Sequence, residues 1–99
     1  MSKIYKEFMG QKLKEIIVTL PFTDGSVKEF GVYAYFEVAG KEYFVLLPFK
    51  GKKELDFSHK YQLYSVLKDE EGNPIVTNIE NDEDFNLAAD FFSFNYNGL

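Results

Sequence analysis

Much of the chain alternates between apolar and polar residues with a period of two, which is typical of half-buried β-strands. The alternation begins after Glu15, where one phase is apolar: Ile16, Val18, Leu20 and Phe22. Residues 23–26 include a glycine and predict a hairpin turn. The pattern resumes over residues 27–38, where the even positions form an apolar row: Phe30, Val32, Ala34, Phe36 and Val38. We expect two antiparallel strands here, with a bulge or bend at Gly31.

A third strand is predicted over residues 42–49, because both of its phases are apolar. Such a strand is typically central in a sheet and covered on both sides. Ala39-Gly40 precedes it and has the spacing of a tight hairpin. Two further strands, 61–68 and 75–79, flank an acidic turn over 69–74. Consecutive strands joined by short turns pair as neighbours, so the predicted sheet is an antiparallel meander of four to five strands.

The last segment changes its period from two to 3.6, and Asn81 stands before it as a helix N-cap. Acidic residues fill the first turn, where the helix dipole favours them. Apolar residues then recur at three- and four-residue spacing: Phe85, Ala88, Ala89, Phe92 and Tyr96. We expect Phe85, Ala88 and Phe92 to be buried against the even positions of the second strand, and Gly98 to end the helix.

The N-terminal segment, residues 1–14, is basic, with four lysines and one glutamate. A helix would place four of its apolar residues on one face: Tyr5, Phe8, Met9 and Leu13. Gly10 weakens such a helix by about 1 kcal/mol relative to alanine. We therefore predict that the segment over 1–14 is helical or frayed: it either packs on its own domain or frays. Residues 15–99 are predicted to form a single α+β domain, an antiparallel sheet with a C-terminal helix packed on one face.

Length, composition and charge narrow the class of protein. The chain has 99 residues, no cysteine and a net charge of -5, and its eleven basic residues are all lysine. Arginine is the usual residue for recognising phosphate and guanine, so its absence argues against nucleic-acid binding. No apolar run approaches the roughly 18 residues of a membrane span, and the first residues lack the apolar core of a secretory signal. We expect a cytoplasmic protein that binds neither nucleic acid nor membrane.

Two groups of polar residues suggest chemistry. His59 is the only histidine and lies close to Asp56 and Ser58, which raises the possibility of an enzyme or a small-ligand protein that uses His59 with nearby carboxylates. However, no Gly-x-Ser-x-Gly motif is present, and Asp56 and Ser58 are typical turn-forming residues. The carboxylates Glu80 and 82–84 suggest a metal site, although acids at a helix start explain them equally well. We assign no catalytic, cofactor-binding or metal-binding residue.

The tyrosines suggest a different function. Tyr33, Tyr35 and Tyr43 fall on predicted strands, and tyrosine is enriched at protein interfaces. The alternation places Tyr33 and Tyr35 opposite the apolar row, at the centre of a half-wet face for a protein partner. The alternative is that the N-terminal segment covers them. The sequence thus favours a small non-catalytic protein-interaction module with an unidentified protein partner and an undetermined oligomeric state.

The segment Phe36–Pro48, with its Gly-Lys-Glu-Tyr turn and Leu-Leu-Pro ending, resembles the signature hairpin of a bacterial family catalogued as domain of unknown function 1292. Three later segments are similar to family motifs in order and spacing: Tyr64–Leu67, Asp69–Gly72 and Ile79–Phe85. The resemblance covers roughly residues 15–95. The lysine-rich connection after Pro48 and the basic N-terminal segment depart from the family pattern. The resemblance implies no activity, cofactor or catalytic residue.

Overall fold

The computed structural model describes residues 2–52 and 54–96, which form nine β-strands, one α-helix and one short 3₁₀ helix. The strands are β1 (Ser2–Tyr5), β2 (Glu7–Phe8), β3 (Gln11–Lys12), β4 (Ile17–Pro21), β5 (Val27–Val38), β6 (Lys41–Lys50), β7 (Glu54–Leu55), β8 (Gln62–Lys68) and β9 (Pro74–Thr77). The 3₁₀ helix covers Leu13–Glu15, and the α-helix α1 covers Asp82–Asn95.

Seven of the strands form one antiparallel sheet, in which β1, β5, β6, β8 and β9 are neighbours in that order. The outer edge of β5 is shared, because β4 pairs with its first half and β1 with its second half. β7 pairs with the end of β6. The predicted α+β architecture with a C-terminal helix is confirmed. The sheet is larger than four to five strands because β1 and β7 also join it.

The β5–β6 hairpin is the centre of the sheet. Ala39 and Gly40 both have positive φ, 52° and 81°, as the two-residue turn that fits the strand twist requires. β6 lies between β5 and β8, and residues 43–47 are all buried. A strand buried in both phases needs cover on both faces of the sheet. The central, doubly covered position predicted for it is confirmed.

A bulge at Tyr33 changes which face each half of β5 serves. The register with β6 shifts between Val32 and Ala34, so Val32 and the later even positions point to opposite faces. The bulge was expected at Gly31, but Gly31 pairs regularly with Leu47. A Cβ at Gly31 would lie 2.5 Å from the Leu55 Cδ2 atom, so the glycine is explained by the close approach of β7.

Over the residues described, the N-terminal segment forms short strands up to Lys12 and only then a turn of 3₁₀ helix, in place of the predicted helical or frayed segment. β1 pairs with β5, and Phe8 ends β2 in a short hairpin whose turn residues, Met9 and Gly10, have φ of 50° and 81°. The expectation of a helix was wrong because the exposed edge of β5 offers backbone hydrogen bonds that sequence periodicity cannot reveal. Gly10, which weakens a helix, is what this turn requires.

The two faces of the sheet carry two separate cores. On one face, the N-terminal segment covers a core in which Phe8 is packed between Tyr35 and Phe44, with both ring centroids 5.2 Å from its own. On the other face, α1 covers a core that includes Phe36 and Phe92. The sheet is therefore the middle layer of three.

α1 begins as predicted and buries part of the predicted stripe. The Asn81 side chain accepts hydrogen bonds from the Glu83 and Asp84 backbone N–H groups at 2.8 and 3.3 Å. Ala88 and Phe92 are buried, but Phe85 is 42% exposed. The expectation for Phe85 was wrong because it lies on the flank of the helix.

The prediction of which β5 residues pack against α1 also needs correction. After the bulge, the even positions of β5 do face α1, as the Phe36–Phe92 contact shows, but Phe30 and Val32 belong to the core on the opposite face. Gly98, expected to end the helix, lies outside the described residues.

Candidate functional site

The three tyrosines proposed from the sequence do not share one exposed face. Tyr35 is 2% exposed beneath the N-terminal segment, and its ring stacks on Tyr5 with 4.5 Å between centroids. Tyr43 is also 2% exposed and lies in the core beneath α1. Tyr33, at the bulge, is half-buried, and its ring contacts Phe57 edge-on at 5.4 Å. The alternative prediction was that the N-terminal segment covers both Tyr33 and Tyr35. The segment covers Tyr35 but not Tyr33.

Tyr35 is part of a polar network at one end of the sheet. Its hydroxyl donates to the Glu42 Oε1 atom at 2.5 Å, and the Tyr5 hydroxyl donates to Glu37 at 3.1 Å. Lys68 Nζ lies 3.7 Å from the same Glu42 oxygen. Burial, and then the hydrogen bond to Glu42, raises the pKa of Tyr35 well above its usual range. The network thus joins protonated tyrosines to carboxylates and helps to hold β1 against the sheet.

His59 lies in a turn whose geometry does not match a hydrolytic triad. Asp56 Oδ1 accepts hydrogen bonds from the Ser58 hydroxyl at 2.5 Å and from the Ser58 backbone N–H at 3.0 Å. These bonds lower the pKa of Asp56. The His59 Nε2 atom is 3.4 Å from the other oxygen of Asp56. Because the serine hydroxyl donates to the carboxylate, it is not aligned with the imidazole that would act as its base. Asp56 and Ser58 are turn residues, as predicted.

The carboxylates at 80–84 serve the start of α1. Asp84 forms an ion pair with Lys41, and its backbone N–H donates to Asn81. Within residues 2–52 and 54–96, no three histidine or acidic side chains come together in a group that could hold a metal ion. This arrangement matches the helix-start explanation of the acids.

An apolar hollow next to His59 was not predicted from the sequence. Phe57, in the connection after β7, and Phe85, on the flank of α1, line it together with Leu63 and Tyr61, while His59 and Lys60 stand at its rim. Its volume is about 510 Å³. Phe57 is 53% exposed and Phe85 is 42% exposed, although both are large apolar residues. We call this hollow the aromatic groove.

The sequence held one signal for the aromatic groove. Phe57 is the one phenylalanine in the mostly polar stretch 50–60, where no strand or helix pattern explains it. Phe85 gave no such signal, because its helical spacing fits a buried stripe. The groove forms only when the connection and the flank of α1 come together over Leu63.

The described residues contain no helix with the length and apolarity to cross a membrane. No solved structure matches the chain. A "UPF0473 protein" of Heliobacterium modesticaldum is 34% identical over 84 residues, covering 85% of this chain and 88% of the relative. A protein of the same name from Pelotomaculum thermopropionicum is 33% identical over 76 residues, covering 77% and 82%. The chain also matches, over residues 23–94, the family described as "Protein of unknown function (DUF1292)". It therefore belongs to that family, as the resemblance of its central hairpin indicated.

Proposed function

We propose that this protein is a small, non-catalytic protein-interaction module of the bacterial cytoplasm, and that a partner places a large apolar side chain in the aromatic groove. The observation that supports this proposal is the half exposure of Phe57 and Phe85 on either side of an apolar floor. Aromatic side chains in such hollows are typical of the few residues that contribute most of the binding energy at protein interfaces.

The geometry suits a partner side chain. The volume of about 510 Å³ lies within the range of small-molecule pockets, roughly 300 to 1,000 Å³, and so has room for a large apolar side chain of a partner. Tyr33 supports one wall, since its ring contacts Phe57. In this proposal Tyr33 is the one of the three predicted tyrosines that contributes to binding, while Tyr35 and Tyr43 support the fold.

The alternative is a small-ligand protein that uses His59, and it is favoured by the position of His59 at the rim of the same groove. A small polar ligand would need several hydrogen-bonding groups inside the hollow. The polar lining residues Ser58, His59 and Lys60 are all exposed and stand beside the phenol of Tyr61, whereas the apolar lining residue Leu63 is buried. The apolar floor therefore favours a protein side chain over a polar metabolite.

Affinity capture from the native cell with matched variants tests the proposal. Phe57→Ser combined with Phe85→Ser should retain the fold, because both side chains are already half exposed, and should lose the partners that the wild-type protein captures. Phe94→Ser is the control, since Phe94 is 84% exposed on α1 and does not line the groove. Recovery of the same proteins with the double variant would contradict the proposal.

A further inference from the structure

A second hollow, which we call the lysine groove, lies between the N-terminal segment and β7. Three lysines of the N-terminal segment, Lys6, Lys12 and Lys14, line one side of it. Its apolar lining comes from residues on three elements: Leu13, Val32, Tyr33 and Leu55. The volume is about 480 Å³. The hollow is shallow and open, and such a surface suits an extended segment of protein, with apolar side chains against its apolar lining and charged ones along the lysines.

The charge of the lysine groove is opposite to that of the whole protein. The chain has 16 acidic and 11 basic residues, yet this groove has three lysines and one acid, Glu7. The three lysines are exposed, and they form no ion pair with any residue in the described part of the chain. A local reversal of charge on an acidic protein attracts a negatively charged group to that one place.

The lysine groove is connected to the aromatic groove by Tyr33. This side chain lines the lysine groove, and its ring contacts Phe57, which lines the aromatic groove. Among the residues that the structure describes, none that lines the aromatic groove is acidic, and Lys60 adds a further positive charge to its lining. The two hollows are therefore neighbours on either side of the Tyr33–Phe57 contact, and four lysines line them in total.

We infer that the partner binds both grooves through a linear segment that combines acidic residues with at least one large apolar side chain. The apolar side chain occupies the aromatic groove, and the acidic residues lie along Lys6, Lys12 and Lys14. This inference rests on the proposed function and adds the chemistry of the partner. Nucleic acid is a poorer fit, because the basic side chains are lysines and the remainder of the protein is acidic.

Selection from a displayed library of random twelve-residue peptides tests the inference with the full chain as bait. The enriched peptides should carry several aspartates or glutamates next to a leucine or an aromatic residue. A labelled enriched peptide then serves as the probe in fluorescence anisotropy at low salt. Lys6→Gln, Lys12→Gln and Lys14→Gln should each weaken its binding about two- to fivefold, the range expected for exposed ion pairs.

Lys28→Gln is the matched control. It removes one positive charge at an exposed position, over the Phe22 ring and outside both grooves, and should leave the affinity unchanged. Raising the salt concentration should weaken binding to the wild type more than to the triple lysine variant. Equal effects of Lys28→Gln and the three groove variants would overturn the inference, as would effective competition by a single-stranded oligonucleotide.

The peptide selection separates failure of the inference from failure of the proposed function. Enriched peptides that are apolar without acidic residues, and that lose binding to the Phe57→Ser, Phe85→Ser variant, would overturn the inference and leave the proposed function standing. Absence of any enriched peptide would also overturn the inference. Failure of the proposed function is seen independently, in the capture experiment, when the groove variant retains the partners of the wild type.

Discussion

Tyr35 is the residue at which the N-terminal segment and the sheet are most closely joined. Its ring lies between Tyr5 and Phe8, and its hydroxyl donates to Glu42. A buried phenol that donates to a carboxylate must keep its proton, because the phenolate would be both poorly solvated and repelled by Glu42. The packing of the N-terminal segment over Tyr35 should therefore weaken at alkaline pH.

Tyr35→Phe should reduce the loss of stability at high pH. The folded-state pKa of Tyr35 is above the unfolded value of about 10, so the folded chain keeps a proton that the unfolded chain releases. The free energy of unfolding is then unaffected by this group below about pH 10 and falls above it, by at most about 1.4 kcal/mol per pH unit. Urea unfolding between pH 8 and pH 11.5 measures this. The stability difference between wild type and Tyr35→Phe should be constant at the lower end and change above pH 10; a difference independent of pH would contradict the prediction.

The polar residues that sequence reasoning placed correctly are those whose partners are local. Asn81 bonds to the N–H groups two and three residues later, and Asp56 bonds to Ser58. Such bonds follow from residue type and spacing alone. Phe57 and Phe85 could not be placed in the same way, because their exposure depends on how a loop and a helix flank meet over β8.

At the scale of elements, α1 presents two phenylalanines with opposite surroundings. Phe92 is buried and packs against Tyr61 and Phe36, with 4.7 and 6.4 Å between ring centroids. Phe94, two residues later, is 84% exposed. The same substitution at the two positions therefore separates the contribution of packing from that of helix propensity.

Phe92→Ala should lower the free energy of unfolding by about 3 to 5 kcal/mol, the cost of a large-to-small change in a core. Phe94→Ala should change it by less than about 0.5 kcal/mol, as expected for a surface substitution. Chemical unfolding of both variants gives the comparison. Similar losses in the two variants would mean that α1 does not use the Phe92 side to contact the sheet.

The elements that differ from expectation are those formed by long-range pairing. The N-terminal segment has the spacing of an amphipathic helix, yet β1 pairs with residues 35–38 of β5, thirty or more positions away. The apolar residues of the N-terminal segment do not share one face, since Phe8 lies in the core and Met9 lies in the turn. By contrast, the extents of β5 and β6 and the turn between them agree with the sequence pattern, because a hairpin is specified by neighbouring residues. The exception is the bulge at Tyr33, which divides the predicted apolar row of β5 between the two faces.

At the scale of the whole molecule, charge is segregated. The N-terminal lysines form one wall of the lysine groove, whereas residues from 69 onward contain eight acids and no lysine. The family match covers residues 23–94, so the wall formed by Lys6, Lys12 and Lys14 lies outside the matched range. We expect substitutions in one groove to leave binding at the other groove intact. In this view the lysine groove selects which partners this chain accepts.

Divalent ions should not change the stability of the protein. The acids at the start of α1 serve the helix N-terminus, and Asp84 is paired with Lys41. The melting temperature should therefore be the same after chelation and in about 1 mM calcium. An increase of several degrees at sub-millimolar calcium would show that the native state binds the ion, because a ligand of the folded state stabilises it by mass action.

The bulge at Tyr33 makes the number of residues in β5 as important as their types. Phe30 and Val32 serve one core and Phe36 the other, and the single extra residue between the two halves keeps both assignments valid. A substitution in β5 changes one contact, but deletion of one residue here would exchange the faces of an entire half-strand. Changes in the length of β5 should therefore be far more harmful than changes in its composition, and relatives with the same two cores should keep the spacing from Val32 to Ala34 even where they replace both residues.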